Sequence, residues 1–142
     1  MKACESAIVP TMIERPTKRW SDLATEEDRA IAAGTLDPDE APTRIYWPVE
    51  FREAVDMALD AYEAEVSRID PANDELVLTA VRNVVDQLND VDGDYGLIET
   101  GEREELGAYI DAVLTNVGID IEELARRNNI DPDLTEYGGR SW

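Results

Sequence analysis

The fold is decided by residues 48–91, PVEFREAVDMALDAYEAEVSRIDPANDELVLTAVRNVVDQLNDV. Apolar residues in its first half recur three or four positions apart, which predicts an amphipathic helix over about 48–68. They are Phe51, Val55, Ala58, Leu59, Tyr62 and Val66. Asp70-Pro71 ends that helix, and the same period continues in a second helix over about 72–91. Its wide apolar face predicts a central position: Leu76, Val77, Ala80, Val81, Val84, Val85, Leu88 and Val91.

The flanking sequence adds weaker helices on both sides. Downstream, a turn over 92–96 leads to a helix over about 101–117, with Thr100 as its N-cap, and Asp120 opens a short helix to about Asn128. Asp131-Pro132 is expected to start one last turn. Upstream, acids after Thr25 predict a helix that stops at Gly34. Prolines predict a loop over 35–48, anchored to the core by Ile45, Tyr46 and Trp47.

These patterns predict a mainly α protein, a single-domain bundle of four to five helices with an irregular N-terminal arm. The arm is expected over residues 1–22, with one short strand possible around Ile8, Val9, Met12 and Ile13. The acidic helical domain is expected over 23–136 and a C-terminal tail over 137–142, in which Trp142 can dock. We expect the core to contain Leu59, Tyr62, Val81, Val84, Leu88, Ile110 and Leu114.

Charge is the strongest chemical feature of the chain. It has 33 acidic and 13 basic residues and a formal net charge of −20. Residues 1–71 carry 16 acids and 8 bases, and residues 72–142 carry 17 acids and 5 bases, so the acidity covers the whole body. Such a surface repels nucleic acids and anionic membranes and attracts basic proteins. Arginine far exceeds lysine, a composition typical of a GC-rich bacterium or its phage.

Several residue types are missing or rare, which narrows the chemistry. The chain has no histidine, and Cys4 is its only thiol. Catalysis by His, Cys–His nucleophiles and Cys/His zinc sites are therefore excluded. A lone cysteine fits a cytoplasmic location, and no stretch is apolar enough for a membrane span. We expect no cofactor and no enzyme activity.

Two groups of acidic residues have spacings similar to those of metal ligands. Asp90, Asp92 and Asp94 have the spacing of the first ligands of a calcium loop, but Tyr95 and Gly101 stand where that loop needs glycine and glutamate. A polar turn between helices explains the pattern more simply.

The second pattern is Glu53, Asp56, Asp60 and Glu63, which share one face of the 48–68 helix, opposite its apolar stripe. This face resembles half of the magnesium site of all-α nucleotide pyrophosphatases. The resemblance implies a metal-dependent nucleotide hydrolase in which Glu104 and Asp111 supply the facing carboxylates. The simpler interpretation is a solvated face of an amphipathic helix.

Residues 121–133, IEELARRNNIDPD, resemble the opening of a helix-turn-helix. A DNA-reading motif needs a following helix with basic or amide side chains, whereas Asp131, Asp133 and Glu136 occupy that region. We therefore expect no nucleic-acid partner.

The sequence favours a non-catalytic acidic protein that inhibits or neutralises a basic protein. An immunity protein against a toxin, or a phage inhibitor of a nucleic-acid-binding defence enzyme, would use this chemistry. The alternatives are the metal-dependent hydrolase and an acidic domain with no specific inhibitory role. The candidate partner-binding residues are Asp90, Asp92, Asp94, Glu99, Glu102, Glu53 and Asp60. The oligomeric state is left open.

Overall fold

The computed structural model describes residues 14–142, which are mainly α-helical with no strand among them. Five helices have eight or more residues, as expected: α1 (Pro16–Ala32), α3 (Val49–Arg68), α4 (Asp74–Tyr95), α5 (Thr100–Asn116) and α6 (Ile121–Asn128). Two short helices complete the chain, α2 (Pro42–Tyr46) and α7 (Leu134–Tyr137). The short strand considered around residues 8–13 lies outside the described residues. No helix in the described range is long and apolar enough to cross a membrane.

The core lies between α3, α4 and α5. All seven residues predicted to be buried are buried, and Trp142 docks at 7% exposure. Leu76, placed by its period on the apolar face of α4, is 41% exposed. Asn83 of α4 contacts Glu65 of α3, and Tyr95 contacts Phe51, so the two helices run antiparallel. The Tyr62 hydroxyl donates a 2.9 Å hydrogen bond to the Ile110 carbonyl, and burial raises the pKa of this phenol.

The predicted start of the first helix is wrong, since α1 begins at Pro16 rather than near Thr25. The side of α1 that packs on the rest of the protein is a line of four buried residues, Pro16, Thr17, Trp20 and Ala24. Trp20 is the only large apolar residue of this line, so the period is too weak to recognise in the sequence. The predicted arm over 1–22 therefore includes the first turns of a packed helix. Its predicted end holds, because Gly34, with φ +76°, follows the C-cap residue Ala33.

The predicted loop over 35–48 contains a 3₁₀ turn over Pro38–Glu40 and the short helix α2. The Glu27 carboxylate of α1 accepts hydrogen bonds from the Thr43 amide (3.1 Å) and the Thr43 hydroxyl (2.6 Å). These bonds satisfy an amide in the first turn of α2 that has no intrahelical partner. Only Trp47 of the three predicted anchors packs on the core, since Ile45 and Tyr46 are each 56% exposed.

The predicted turn over 92–96 is also wrong, because α4 continues to Tyr95 and ends at Gly96 with φ +67°. Gly93 is accommodated within this helix. The N-cap of α5 is Glu99 rather than Thr100. Its amide donates to the Glu102 carboxylate at 3.1 Å, one half of a capping box.

The C-terminal elements attach to α4 through specific contacts. The Arg127 guanidinium of α6 binds both carboxylate oxygens of Asp74, at 2.6 and 2.7 Å, and Asn128 donates to the same group. These hydrogen bonds lower the pKa of Asp74 to about 2. Gly138 lies so close to α4 that a Cβ there would come within 2.8 Å of Val85 Cγ2. Asn89 accepts from the Ser141 amide at 2.9 Å.

Val84→Asp should lower the free energy of unfolding by roughly 3 kcal/mol or more, because Val84 has no exposed surface and an unpaired carboxylate would be buried. Chemical denaturation measures the change. Gln87→Asp, at an exposed site one turn along α4, is the matched control and should change stability by under about 1 kcal/mol. Equal effects of the two substitutions would show that the faces of α4 are assigned wrongly.

Candidate protein-binding surface

The carboxylate face of α3 holds a cation that belongs to the protein itself. The Arg15 guanidinium contacts Asp56 at 3.2 Å, Asp60 at 2.6 Å and Glu63 at 2.8 Å. Glu53, the fourth acid of the predicted metal site, is exposed and lies outside this cluster. Three of the four predicted residues are thus brought together, around an arginine that the sequence did not single out.

Hydrogen bonds from α1 and α5 fix this cluster. The Thr17 hydroxyl donates to Asp56 at 2.6 Å, and the Tyr109 hydroxyl donates to Glu63. Burial and the bond to Glu63 raise the pKa of Tyr109 to about 12. The hydrogen bond to Asp60 and the charge of Glu63 raise the pKa of Arg15 despite its partial burial. The guanidinium is therefore firmly cationic, and it joins α1 to α3 at this face.

The predicted second half of the metal site lies elsewhere. Tyr109 is the α5 side chain bonded to Glu63, while Glu104 is exposed to solvent and Asp111 is half-buried. Burial and the negative charge of Asp133 raise the pKa of Asp111 to about 6. Within residues 14–142, no group of three His, Cys, Asp or Glu side chains is arranged to hold a metal ion. The hydrolase alternative stays a prediction.

The candidate residues near the end of α4 have different surroundings. Asp90 and Asp94 are exposed, whereas the Asp92 carboxylate accepts from the Ile98 amide at 3.1 Å and fixes the α4–α5 connection. All three lie on a helix rather than in a loop, so the calcium-loop geometry does not form. Asp90 and Asp94 are one turn apart and share a face of α4.

The two candidate glutamates at the start of α5 also divide into a structural and an exposed residue. Glu102 accepts hydrogen bonds from the Glu99 amide at 3.1 Å and from the Trp47 indole at 2.9 Å. Glu99 is exposed. Of the seven predicted partner-binding residues, Glu53, Asp90 and Asp94 are exposed with no contact described above, and Glu99 is exposed while it also caps α5. Asp92, Glu102 and Asp60 have contacts within the fold.

Exposed apolar side chains lie beside these acids, although the sequence favoured core packing for Tyr46 and Tyr95. Tyr46, Val49 and Tyr95 are 56%, 46% and 39% exposed. Their sequence context resembles that of core residues, because Tyr46 adjoins the packed Trp47 and Tyr95 ends a helix with a wide apolar face. Only the tertiary structure shows that they face solvent.

Six of the eleven arginines form ion pairs among residues 14–142. Four arginines form ion pairs with acids of other helices: Arg15 with α3, Arg19 with Glu105, Arg44 with Asp28 and Arg127 with Asp74. No ion pair among residues 14–142 includes Asp86, Asp90 or Asp94, which are all exposed. These acids of the outer α4 face therefore have no ion-pair partner in the described part of the chain, and Arg82, one turn before Asp86, bonds to Tyr137 instead.

A groove of about 740 Å³ separates α1 from α5. Its polar walls include Arg15, Arg19 and Glu105, and both arginines are already paired with carboxylates. An anionic ligand would have to displace those carboxylates, so the exposed acids are the better candidate for recognition.

The chain matches no family model, no curated protein and no solved structure.

Arg15→Ala should lower the melting temperature, because three converging carboxylates would then lack their cation. The free energy of unfolding should fall by about 1–3 kcal/mol. We also expect Mg²⁺ or Mn²⁺ to restore part of the stability, beyond the effect of NaCl at matched ionic strength, and to leave the wild type unchanged.

Thermal melts of both proteins in both salts measure these effects. Lys18→Ala, which removes a cation from the exposed Lys18–Asp22 pair on the same helix, is the control. A divalent-specific shift in the wild type, together with nucleotide turnover that Glu53→Gln abolishes, would instead support the hydrolase alternative.

Asp111→Asn should stabilise the protein at pH 7.5 by roughly 1–2 kcal/mol, since the raised pKa reflects an unfavourable buried charge that is partly screened by solvent. The native state binds the Asp111 proton more tightly than the unfolded state. This contribution to stability is therefore present at low pH and lost as pH rises from about 4 through about 6.

The difference in melting temperature between variant and wild type should accordingly shrink as pH falls through that window. Glu104→Gln, an exposed acid on the same helix, controls for the change in net charge. A stabilisation independent of pH would contradict the assigned cause.

Proposed function

We propose that this protein is a non-catalytic, acidic binding protein that acts in the cytoplasm and inhibits or neutralises a basic protein. An immunity protein against a toxin, or a phage inhibitor of a nucleic-acid-binding defence enzyme, is the setting that fits this chemistry. The observation that carries the proposal is the separation of charge. Four arginines pair with acids of other helices, while the acids of the outer α4 face have no cationic partner among the described residues.

This arrangement supports binding for an electrostatic reason. Neighbouring acids one turn apart, such as Asp86, Asp90 and Asp94, repel one another and disfavour the compact state. A basic partner removes that repulsion and is steered toward the surface during encounter. Carboxylates on a rigid helix can also mimic the phosphates that a nucleic-acid-binding partner recognises.

The most direct test begins with the wild-type protein immobilised and exposed to lysate of its native host. The protein recovered should have a basic surface. Its association rate should fall steeply between about 50 and 500 mM salt, as the Debye length shrinks from roughly 14 to 4 Å. Surface plasmon resonance at several salt concentrations measures the rate.

Two triple variants make the test specific. Asp86→Asn, Asp90→Asn and Asp94→Asn together should reduce the association rate several-fold and flatten its salt dependence. Asp39→Asn, Glu40→Gln and Glu122→Gln remove the same charge from exposed sites on other elements and should have a smaller effect. Recovery of only acidic or neutral proteins, or an association rate indifferent to salt, would support a domain with no specific inhibitory role.

A further inference from the structure

Three separate contacts bring α3, α4 and α5 together at one end of the bundle. The rings of Phe51 in α3 and Tyr95 in α4 are 5.8 Å apart, edge to face. Trp47, just before α3, donates its indole hydrogen to Glu102 of α5 at 2.9 Å. Asp92 binds the Ile98 amide between α4 and α5. The start of α3, the end of α4 and the start of α5 therefore share this end.

Apolar side chains are unusually exposed there. Tyr46 (56%), Val49 (46%) and Tyr95 (39%) belong to three different elements, α2, α3 and α4. Of the other aromatics nearby, Trp20 and Phe51 have no exposed surface and Trp47 is partly buried. Aromatic residues left at the surface beside a well-packed core are the residue type that most often anchors protein interfaces.

Exposed acids accompany these side chains, and the two arginines of the adjoining cleft, Arg44 and Arg52, are bonded to Asp28 and to the Trp47 carbonyl. Glu50 follows Val49, Asp94 precedes Tyr95, and Glu99 caps α5. None of the three takes part in an ion pair within residues 14–142. Apolar anchors among charged residues form the core-and-rim pattern of a specific interface.

We propose that the bundle-end surface, formed by Tyr46, Val49, Tyr95, Glu50, Asp94 and Glu99, docks a basic segment of the partner protein that also carries apolar side chains. This inference rests on the proposed function and adds where the partner sits and what its contacting segment contains. The acids accelerate association, and burial of the apolar side chains slows dissociation.

The negative charge of this surface favours a basic partner over a second copy of the chain or an anionic lipid surface. A second copy of the chain would place a molecule of net charge −20 against another of the same sign, with Glu50, Asp94 and Glu99 near their own counterparts. An anionic lipid surface is repelled for the same reason. A cationic segment with an apolar stripe satisfies both features of the surface.

Three synthetic peptides of equal length test the composition of that segment. The first has lysines and arginines with leucines at helical spacing, the second replaces the leucines by serine, and the third replaces the cations by glutamine. Amide chemical shifts of the ¹⁵N-labelled full chain locate each peptide, and titration gives its affinity. The first peptide should bind at least about tenfold more tightly than the others, with its largest shifts around residues 45–50 and 94–99.

Variants of the full chain make the location testable by affinity. Tyr46→Ser with Val49→Ser should weaken binding of the first peptide about tenfold and leave the second peptide unaffected. Met57→Ser is the matched control, because Met57 is 71% exposed on α3 but two turns away from the bundle end. It should leave both affinities unchanged, and circular dichroism checks that each variant is folded.

Other outcomes overturn the inference. Equal affinity for the leucine and serine peptides would show recognition by charge alone, and shifts spread over α1 or α6 would place the contact elsewhere. Dimerisation in sedimentation velocity that Val49→Ser abolishes would assign the surface to a second copy. If a basic host protein is recovered but binds the Tyr46/Val49 variant normally, the location fails and the proposed function stands. If no basic protein is recovered, both fail.

Discussion

The stacked indoles of Trp20 and Trp47 hold the structure together at the bundle end. Their ring centroids are 5.5 Å apart, and Trp20 stacks on Phe51 at 5.8 Å. Each such contact contributes about 0.5–1.5 kcal/mol beyond the apolar area that it buries. The Trp20 indole donates to Glu105 at 3.1 Å, as Trp47 does to Glu102, so α1 and the start of α3 are both bound to α5. The exposed surface at this end depends on that framework.

Ion pairs between helices and ion pairs within one helix have different roles in this fold. Arg15, Arg19 and Arg127 pair with acids between 40 and 90 residues away, where they join helices. Exposed pairs such as Lys18–Asp22 lie within one helix and contribute little. Four of the arginines therefore serve tertiary contacts, and acids such as Asp86, Asp90 and Asp94 are left on an outer face. This division explains how a strongly acidic chain keeps a compact bundle and still offers negative charge to a partner.

How much the sequence could predict depended on the kind of interaction. The cores of α3, α4 and α5 follow from apolar period, because each helix has a wide stripe and burial follows that stripe. The start of α1 was missed, since a single tryptophan supplies most of its packing. The Arg15 cluster was half-predicted: the spacing of Asp56, Asp60 and Glu63 shows that they share a face, but no local signal identifies a cation 41 or more residues away. Exposed Tyr46 and Tyr95 could not be told from core residues without the tertiary structure.

Gly138 and the contacts around it have a consequence for the order of folding. The final turns are held to α4 by hydrogen bonds between Asn89 and residues 50 and 52 positions away and by the close approach of Gly138 to Val85, and they bury Leu134 and Trp142 in the core. Because these contacts join residues far apart along the chain, the segment can pack only after the helical core that receives Leu134 and Trp142 has formed. Residues 129–142 therefore complete the core late in folding, and their amide hydrogens should gain protection from exchange after those of α3, α4 and α5.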